Sequence, residues 1–404
     1  MIPTPQTIEF IRLHRDDDII QLAISQRGDQ DIDVPFVLSQ IRGYQVARNK
    51  IPSWAAIEDI IYPSSLPLEQ CSSEATAEYK TSLLRGACSS LLDLTGGLGV
   101  DFSFMSKAVS DGKGKGCVYV ERQAELCQCA AHNFPFLGLP HAEIVCGSAE
   151  EYVASAGSFD VVFIDPARRN SGGRRTYAIA DCTPDVATLM PILFSHTPRV
   201  ILKLSPMLDW RKAINDIEKS CSDAHVSEVH IVAVRNECKE LLLVVCNEFA
   251  PLQIYCVNDR SVLTLGVKSA SNSQHHRLSI SEISKGSYLY EPNVSIMKCG
   301  CFDEVSSRYG VRQIAHSSHL FVSMDKIDHF PGRKFCIDKV TSMNRRDLRL
   351  SLQGIDQANI TVRNFPLSAV QLRQRLKLGD GGHVYIFATT LADQSHILLI
   401  CHSL

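Results

Sequence analysis

Between residues 88 and 248 short apolar runs recur at a spacing that leaves few folds open. The runs are SSLLDL (89–94), GCVYVE (116–121), AEIVC (142–146), FDVVFID (159–165), RVILKL (199–204), VHIVAV (229–234) and ELLLVV (240–245). Helix-compatible segments separate the first five or six, and strands that alternate with helices predict a parallel sheet covered on both faces. The last two runs are joined only by RNECK (235–239), too short for a crossover, so they are expected to form an antiparallel hairpin. The expected fold class is therefore α/β: a Rossmann-like, seven-stranded, mostly parallel sheet that ends in a reversed hairpin.

A chain of 404 residues exceeds one ordinary core, and its patterning changes on both sides of this block. Residues 1–83 read as an N-terminal helical region, with apolar residues recurring at three and four and with Pro63 and Pro67 as interruptions. In LEQCSSEATAEYK (68–80) a serine pair precedes Glu74 and marks a helix start. The α/β block occupies 84–250. Residues 251–275 read as polar and irregular, with SASNSQHH (269–276) as a loop. A smaller α/β unit is expected over 277–320. A terminal α+β unit is expected over 321–404, with strands in FCIDKV, ANITVRN, HVYIFATT and HILLICH and a helix in SAVQLRQRLKL (368–378).

Charge and cysteine usage narrow the surroundings. Residues 311–404 hold 12 Lys+Arg against 7 Asp+Glu, whereas residues 1–310 hold 29 against 37. A basic tail on an acidic body suits contact with a polyanion. The 15 cysteines are scattered, with CxC pairs at Cys127/Cys129 and Cys299/Cys301 and no CxxC. The opening stretch lacks a basic region followed by an apolar one, so reduced thiols in a cytoplasm are expected. No apolar run approaches the ~18 residues of a membrane span. His316 and His319 have no further ligands clustered nearby, so no metal is expected.

Two carboxylates and a glycine turn suggest a cofactor. LLDLTGGLGVDF (91–102) runs from a strand through Asp93, Thr95, Gly97 and Gly99 into a helix start. Glycines let such a turn bend sharply and let backbone amides approach a ligand. A dinucleotide fingerprint needs a third glycine where Phe102 stands, and the closing hairpin also disfavours an NAD-dependent oxidoreductase. S-adenosylmethionine fits instead, with Asp93 facing the methionine ammonium. Glu121 ends the second strand, where a carboxylate accepts both ribose hydroxyls of an adenosine cofactor. Ser148 and Ala149, after the third strand, lie where adenine is edged, although a helix-capping serine explains Ser148 equally well.

The fourth strand ends in Asp165, followed by Pro166, Ala167, Arg168 and Arg169. Ligands of open α/β sheets bind beyond the carboxyl ends of the strands, so Asp165 is expected to share a crevice with Asp93 and Glu121. D-P-A-R resembles the fourth motif of methyltransferases that act on exocyclic amines of nucleobases. The resemblance implies that Asp165 and the Pro166 carbonyl hold the two amine hydrogens, a matter of orientation more than of base strength. Ala167 and Arg168 depart from the usual second proline and aromatic, although a guanidinium plane also stacks on a base. Pyrimidine-C5 chemistry needs a cysteine nucleophile, and neither DPARRN nor KLSPML supplies one; Cys182 and Cys238 remain. SGGRRTYAIADC (171–182) places Arg174 and Arg175 on a basic loop suited to phosphate.

Over nearly its whole length the chain resembles a bacterial family of THUMP-like-domain class I S-adenosylmethionine-dependent methyltransferases. LEQCSSEATAEYK, DPARR, KLSPMLD (203–209), EPNVSIMKCG (291–300), FPGR (330–333) and ANITVRNFPLS (358–368) carry the likeness. It implies a methyltransferase domain over 84–250, a ferredoxin-like unit over 277–320 and a THUMP-like RNA-binding unit over 321–404. An RNA substrate, tRNA or rRNA, follows from the same resemblance. Arg363, at the end of ANITVRN, and Arg373, Arg375 and Lys377, on the helix after it, are compatible with phosphate contacts. An RNA-binding protein with an idle catalytic domain is the competing expectation.

Overall fold

A computed structural model of the chain describes residues 4–25, 33–63, 65–84, 86, 88–109, 112–168, 179, 182–266, 282–315 and 317–404. The chain divides into two compact units, Met1–Val234 with Lys239–Gln253, and Arg235–Cys238 with Ile254–Leu404.

The first unit opens with helices α1 (Pro5–His14), α2 (Ile19–Ser25), α3 (Val34–Lys50), α4 (Pro52–Ala55), α5 (Ser65–Gln70) and α6 (Glu74–Thr81). Local chemistry starts several of them. The side chains of Thr4, Asp33 and Ser73 accept first-turn N–H groups of α1, α3 and α6, and α1, α3 and α4 carry proline in their first two positions. Strands and helices then alternate as β1 (Leu91–Asp93), α7 (Val100–Lys107), β2 (Cys117–Glu121), α8 (Ala124–Phe136), β3 (Glu143–Cys146), α9 (Ala149–Val153) and β4 (Val161–Ile164). A small antiparallel ribbon follows, β5 (Ala167–Arg168) with β6 (Cys182–Thr183). The series continues through α10 (Val186–Leu193), β7 (Arg199–Leu204), α11 (Trp210–Ser220), β8 (His225–Val234) and β9 (Glu237–Cys246); β10 (Gln253–Asn258) and β11 (Ser261–Gly266), which come next in the chain, fall in the second unit from Ile254 onward.

The large sheet runs β11-β10-β8-β9-β7-β4-β1-β2-β3. Strands β1, β2, β3, β4 and β7 are parallel, and β9 is antiparallel to β7. β8 and β9 are linked by Arg235 and Asn236 alone, whose φ angles of 52° and 58° suit a tight hairpin turn. The sheet has nine strands rather than the expected seven, because the stretch expected to be irregular holds β10 and β11. Both alternate: Ile254, Cys256, Leu263 and Leu265 are buried while Val262 and Thr264 are exposed. The polar residues at their junction, Asn258 to Ser261, form the tight connection that masks this alternation, with Asp259 at positive φ. SASNSQHH lies outside the described residues.

All four residues of β4 are buried, as an apolar run paired on both sides requires. The chain leaves β1 toward β2 and β3 on one side, and β4 and β7 lie on the other. The point where the order reverses, between β1 and β4, opens a crevice beyond the strands' carboxyl ends. Asp93, Glu121 and Asp165 stand at the ends of β1, β2 and β4, and Lys203 stands one residue before the end of β7.

Beyond β11 the second unit continues with β12 (Tyr288–Pro292), α12 (Val294–Cys299), α13 (Phe302–Tyr309), β13 (Arg312–Gln313), β14 (Phe321–Ser323), β15 (Gly332–Ser342), α14 (Arg345–Ser351), β16 (Asn359–Arg363), α15 (Ala369–Leu376), β17 (Val384–Thr390) and β18 (His396–Ser403). They share one sheet in the order β13-β14-β12-β15-β18-β17-β16. The pair β16 and β17 is parallel and is joined through α15, a crossover that a parallel pair needs. β18 is buried on both faces: Ile397, Leu399 and Cys401 enter one cluster, whereas Leu398 and Ile400 enter another with Leu372 of α15 and Leu348 of α14. No helix among the described residues is long and apolar enough to cross a membrane, and all 15 cysteines are free thiols.

Candidate active site

The glycine turn rests on an aromatic ring. A Cβ built on Gly96 would stand 2.1 Å from Cε2 of Tyr119, so only glycine fits there. Gly96 N donates to Val120 O at 2.9 Å, and the Tyr119 hydroxyl donates to the Gly97 carbonyl. Gly99, at φ 86°, is the residue at which α7 begins. The turn is fastened to the second strand by Glu121: Oε2 accepts Gly97 N at 2.9 Å and Oε1 accepts Gln123 N at 2.8 Å.

Thr95 links the first and fourth strands. Its backbone N donates to Asp93 Oδ1 at 2.9 Å, and its hydroxyl accepts Asp165 N at 2.6 Å. Ser148 caps α9 in a reciprocal capping box with Glu151, so its capping explanation holds while its position also faces the crevice. Together Asp93, Thr95, Gly97, Gly99, Glu121, Ser148, Ala149 and Asp165 line a single cavity of about 300 Å³.

The electrostatics of that cavity are uneven. Asp93 is 1% exposed, and burial pushes its carboxyl well above the ordinary range, with Asp101, Asp165 and Glu121 adding repulsion. Among the described residues no cation pairs with Asp93 or Glu121. A ligand that brings an ammonium to the first and hydroxyl donors to the second would complete both, and S-adenosylmethionine carries these groups. The residues present therefore fit that cofactor.

Asp165 is different, and the sequence reading missed the reason. Lys203 Nζ lies 2.5 Å from Asp165 Oδ2, 3.1 Å from Ser72 Oγ and 3.2 Å from Asp101 Oδ2. Behind it, fully buried Lys80 pairs with Glu240 at 2.6 Å and Asp101 at 3.0 Å. Burial opposes ionisation of Asp101, but Lys203 and Lys80 outweigh it and hold the carboxyl well below the ordinary range. Burial likewise opposes the Lys203 charge, and the carboxylates of Asp101, Asp165 and Glu240 outweigh it. At Asp165 burial prevails over Lys203 and raises the carboxyl. The available signal was a lysine inside the apolar run RVILKL, which burial on both faces does not tolerate without partners.

Other expected site residues fall elsewhere. Arg168 lies on β5, while Arg169, Arg174 and Arg175 lie outside the described residues, as does His316. In the second unit Arg363 pairs with buried Glu291 at 2.7 Å, and Arg333 Nε occupies the other oxygen at 2.6 Å. Arg373 of α15 pairs with Asp380, while Arg375 and Lys377 are exposed.

Comparisons with known proteins agree with this fold. Residues 288–331 match the family model of a ferredoxin-like domain, and residues 332–403 match that of a THUMP domain-like unit. A candidate methyltransferase from Porphyromonas gingivalis W83, solved by crystallography, is 31% identical with a TM-score of 0.81, and the match covers 100% of both chains. Two uncharacterized S-adenosylmethionine-dependent methyltransferases of Mycobacterium tuberculosis, from strains CDC 1551 / Oshkosh and ATCC 25618 / H37Rv, are each 24% identical over 58% of this chain. The match spans 61% of the length of these curated relatives. With a class I strand order, a carboxylate-lined crevice that fits S-adenosylmethionine and a full-length relative, the chain belongs to the THUMP-like-domain class I S-adenosylmethionine-dependent methyltransferases.

Proposed function

We propose that this protein methylates structured RNA, tRNA or rRNA, with S-adenosylmethionine as donor. The observation that carries the reading is the single cavity in which, among the described residues, no cation pairs with Asp93 or Glu121 while Asp165 faces the same space. When bound, the cofactor supplies an electrophilic methyl group. Asp93 holds its ammonium, Glu121 accepts from its ribose hydroxyls, and Thr95, Gly97 and Gly99 shape the turn beneath it. Ser148 and Ala149 edge the adenine. Asp165 and the Pro166 carbonyl face the acceptor, and Arg168 stacks on a base. Arg169, Arg174 and Arg175, which follow Asp165 in the sequence, and Arg363, Arg373, Arg375 and Lys377 in the THUMP-like unit, contact phosphates.

An exocyclic amine is the acceptor expected from D-P-A-R, and the end of β4 is compatible with holding one. The lysine on Asp165 is a feature that such an acceptor does not require. Pyrimidine-C5 chemistry is not supported: Cys71 lines the cavity, but burial pushes its thiol up to about 11 and its Sγ donates to Leu68 O. The test is incubation of bulk RNA from cells lacking the protein with labelled S-adenosylmethionine. Label should enter RNA, and Asp165→Ala should abolish transfer while cofactor binding survives. Undiminished transfer by Asp165→Ala would reject its role.

A further inference from the structure

Asp165 is the exposed end of an ion cluster that neither cofactor binding nor amine orientation needs. Among the described residues Asp101, Asp165 and Glu240 face Lys80 and Lys203, three carboxylates against two ammonium groups, for a formal charge of −1. The side chains of Lys80 and Glu240 are 0% and 5% exposed, whereas that of Asp165 is 40% exposed. Surplus negative charge is therefore sealed inside the domain and reaches the crevice at one carboxylate. Burying such groups is unfavourable before pairing is counted.

An exocyclic amine has little use for this arrangement. Its nitrogen attacks through its own lone pair and keeps its hydrogens while doing so, and a neutral amide side chain would orient it as well as a carboxylate. A hydroxyl differs. A neutral alcohol is a weak nucleophile, and the oxonium formed by attack without proton loss is far more acidic than water. Its proton must leave as the new bond forms, so the site needs a poised proton acceptor. Asp165 provides one. Lys203 spends its three N–H donors on Asp165 Oδ2, Asp101 Oδ2 and Ser72 Oγ, which pins one oxygen of Asp165. Among the described residues the other oxygen, Oδ1, has no hydrogen-bond partner.

Resting on the reading that RNA is the substrate, we propose that the acceptor atom is a hydroxyl oxygen, the ribose 2′-hydroxyl carried by every RNA nucleotide. Asp165 takes its proton, and Lys203 is the residue that positions Asp165. The hydroxyl oxygen bonds to the methyl carbon as the methyl–sulfur bond breaks. The bonding pair stays on sulfur, which becomes a neutral thioether, and the hydroxyl proton passes to Asp165 and then to solvent. Among the described residues the charged groups facing Asp165 are Lys203 on β7, Asp101 on α7, Glu240 on β9 and Asp93 on β1. Transfer then requires ionised Asp165, so its rate falls on the acid side.

The test uses the full-length protein, bulk RNA from cells lacking it and S-adenosylmethionine labelled in the methyl group, with digestion of the product to nucleosides. Label is expected in a 2′-O-methylated nucleoside. Asp165→Asn keeps an acceptor oxygen but not the base. It should slow single-turnover transfer by about 10²–10⁴-fold and remove the acid limb of the pH profile. Calorimetric affinity for S-adenosylmethionine should stay unchanged, which shows that the variant is folded. Lys203→Met should behave in the same direction; if it fails to fold, Asp165→Asn decides alone. Label on a base nitrogen, or a wild-type rate for Asp165→Asn, overturns the hydroxyl acceptor and leaves RNA methylation standing. Absence of label from RNA overturns the RNA reading and this inference with it.

Discussion

Gly96→Ala isolates how the glycine turn is held. The added Cβ would stand 2.1, 2.4 and 2.6 Å from three atoms of the Tyr119 ring, where ordinary contact begins at 3.4 Å. The ring has nowhere to go: it is 0% exposed and packs edge-on against Phe102 and Phe134, with centroids 5.6 and 5.4 Å away. Its hydroxyl also holds the Gly97 carbonyl. Either the ring or the turn must shift by more than an ångström. Overpacking of this severity belongs at the upper end of its usual range, about 2–3 kcal/mol. For a unit of this size the Tm should fall by about 4–12 °C. Because Gly97 N is the group that Glu121 holds, affinity for S-adenosylmethionine should fall as well. Differential scanning calorimetry and isothermal titration measure the two effects. Gly147→Ala is the stability control: it lines the same cavity, its Cβ would meet nothing within 4 Å, and a change within about 0.5 kcal/mol is expected. A Gly96→Ala protein with wild-type Tm and wild-type affinity would refute the seating of the turn on Tyr119.

Four further outcomes follow from the charges. Asp93→Asn should raise the Tm of the cofactor-free protein at neutral pH, since the raised folded carboxyl makes its ionisation destabilising. The gain should vanish below about pH 4, where the unfolded carboxyl is protonated too, and cofactor affinity should fall at all pH values. Lys80→Met should cost about 3–5 kcal/mol in denaturant unfolding by leaving Asp101 and Glu240 to Lys203 alone, with partial recovery in Lys80→Met/Glu240→Gln. Asp101 has the opposite sign to Asp93: its depressed folded carboxyl stabilises above the unfolded value, and that contribution disappears as pH falls through the folded one. RNA affinity should drop as salt rises, and replacing exposed Arg375 by Ala should reduce the logarithmic slope by about 0.7–0.9 if that side chain meets a phosphate.

What could be read in the chain was local or periodic. The apolar runs located the strands of the large sheet because burial on both faces leaves little room for other patterns, and strand ends located Asp93, Glu121 and Asp165. The hairpin β10–β11 escaped because its alternation is broken by a polar turn at Asn258 to Ser261. The ion cluster escaped for a different reason. Its members lie at 72, 80, 101, 165, 203 and 240, and their meeting depends on how α6 and α7 pack beside the sheet. Arg363 shows the same limit: its place at a strand end was legible, while the carboxylate it pairs with lies 72 positions earlier at Glu291.

Isothermal titration of the full-length protein with S-adenosylmethionine, repeated on Glu121→Ala, tests the crevice most directly. Saturable one-to-one binding is predicted for the native chain, weakened at least about tenfold in the variant, since one charge-assisted contact is worth about 1.5–3 kcal/mol. A native chain that takes up no S-adenosylmethionine, or a variant that binds it equally well, would contradict the account.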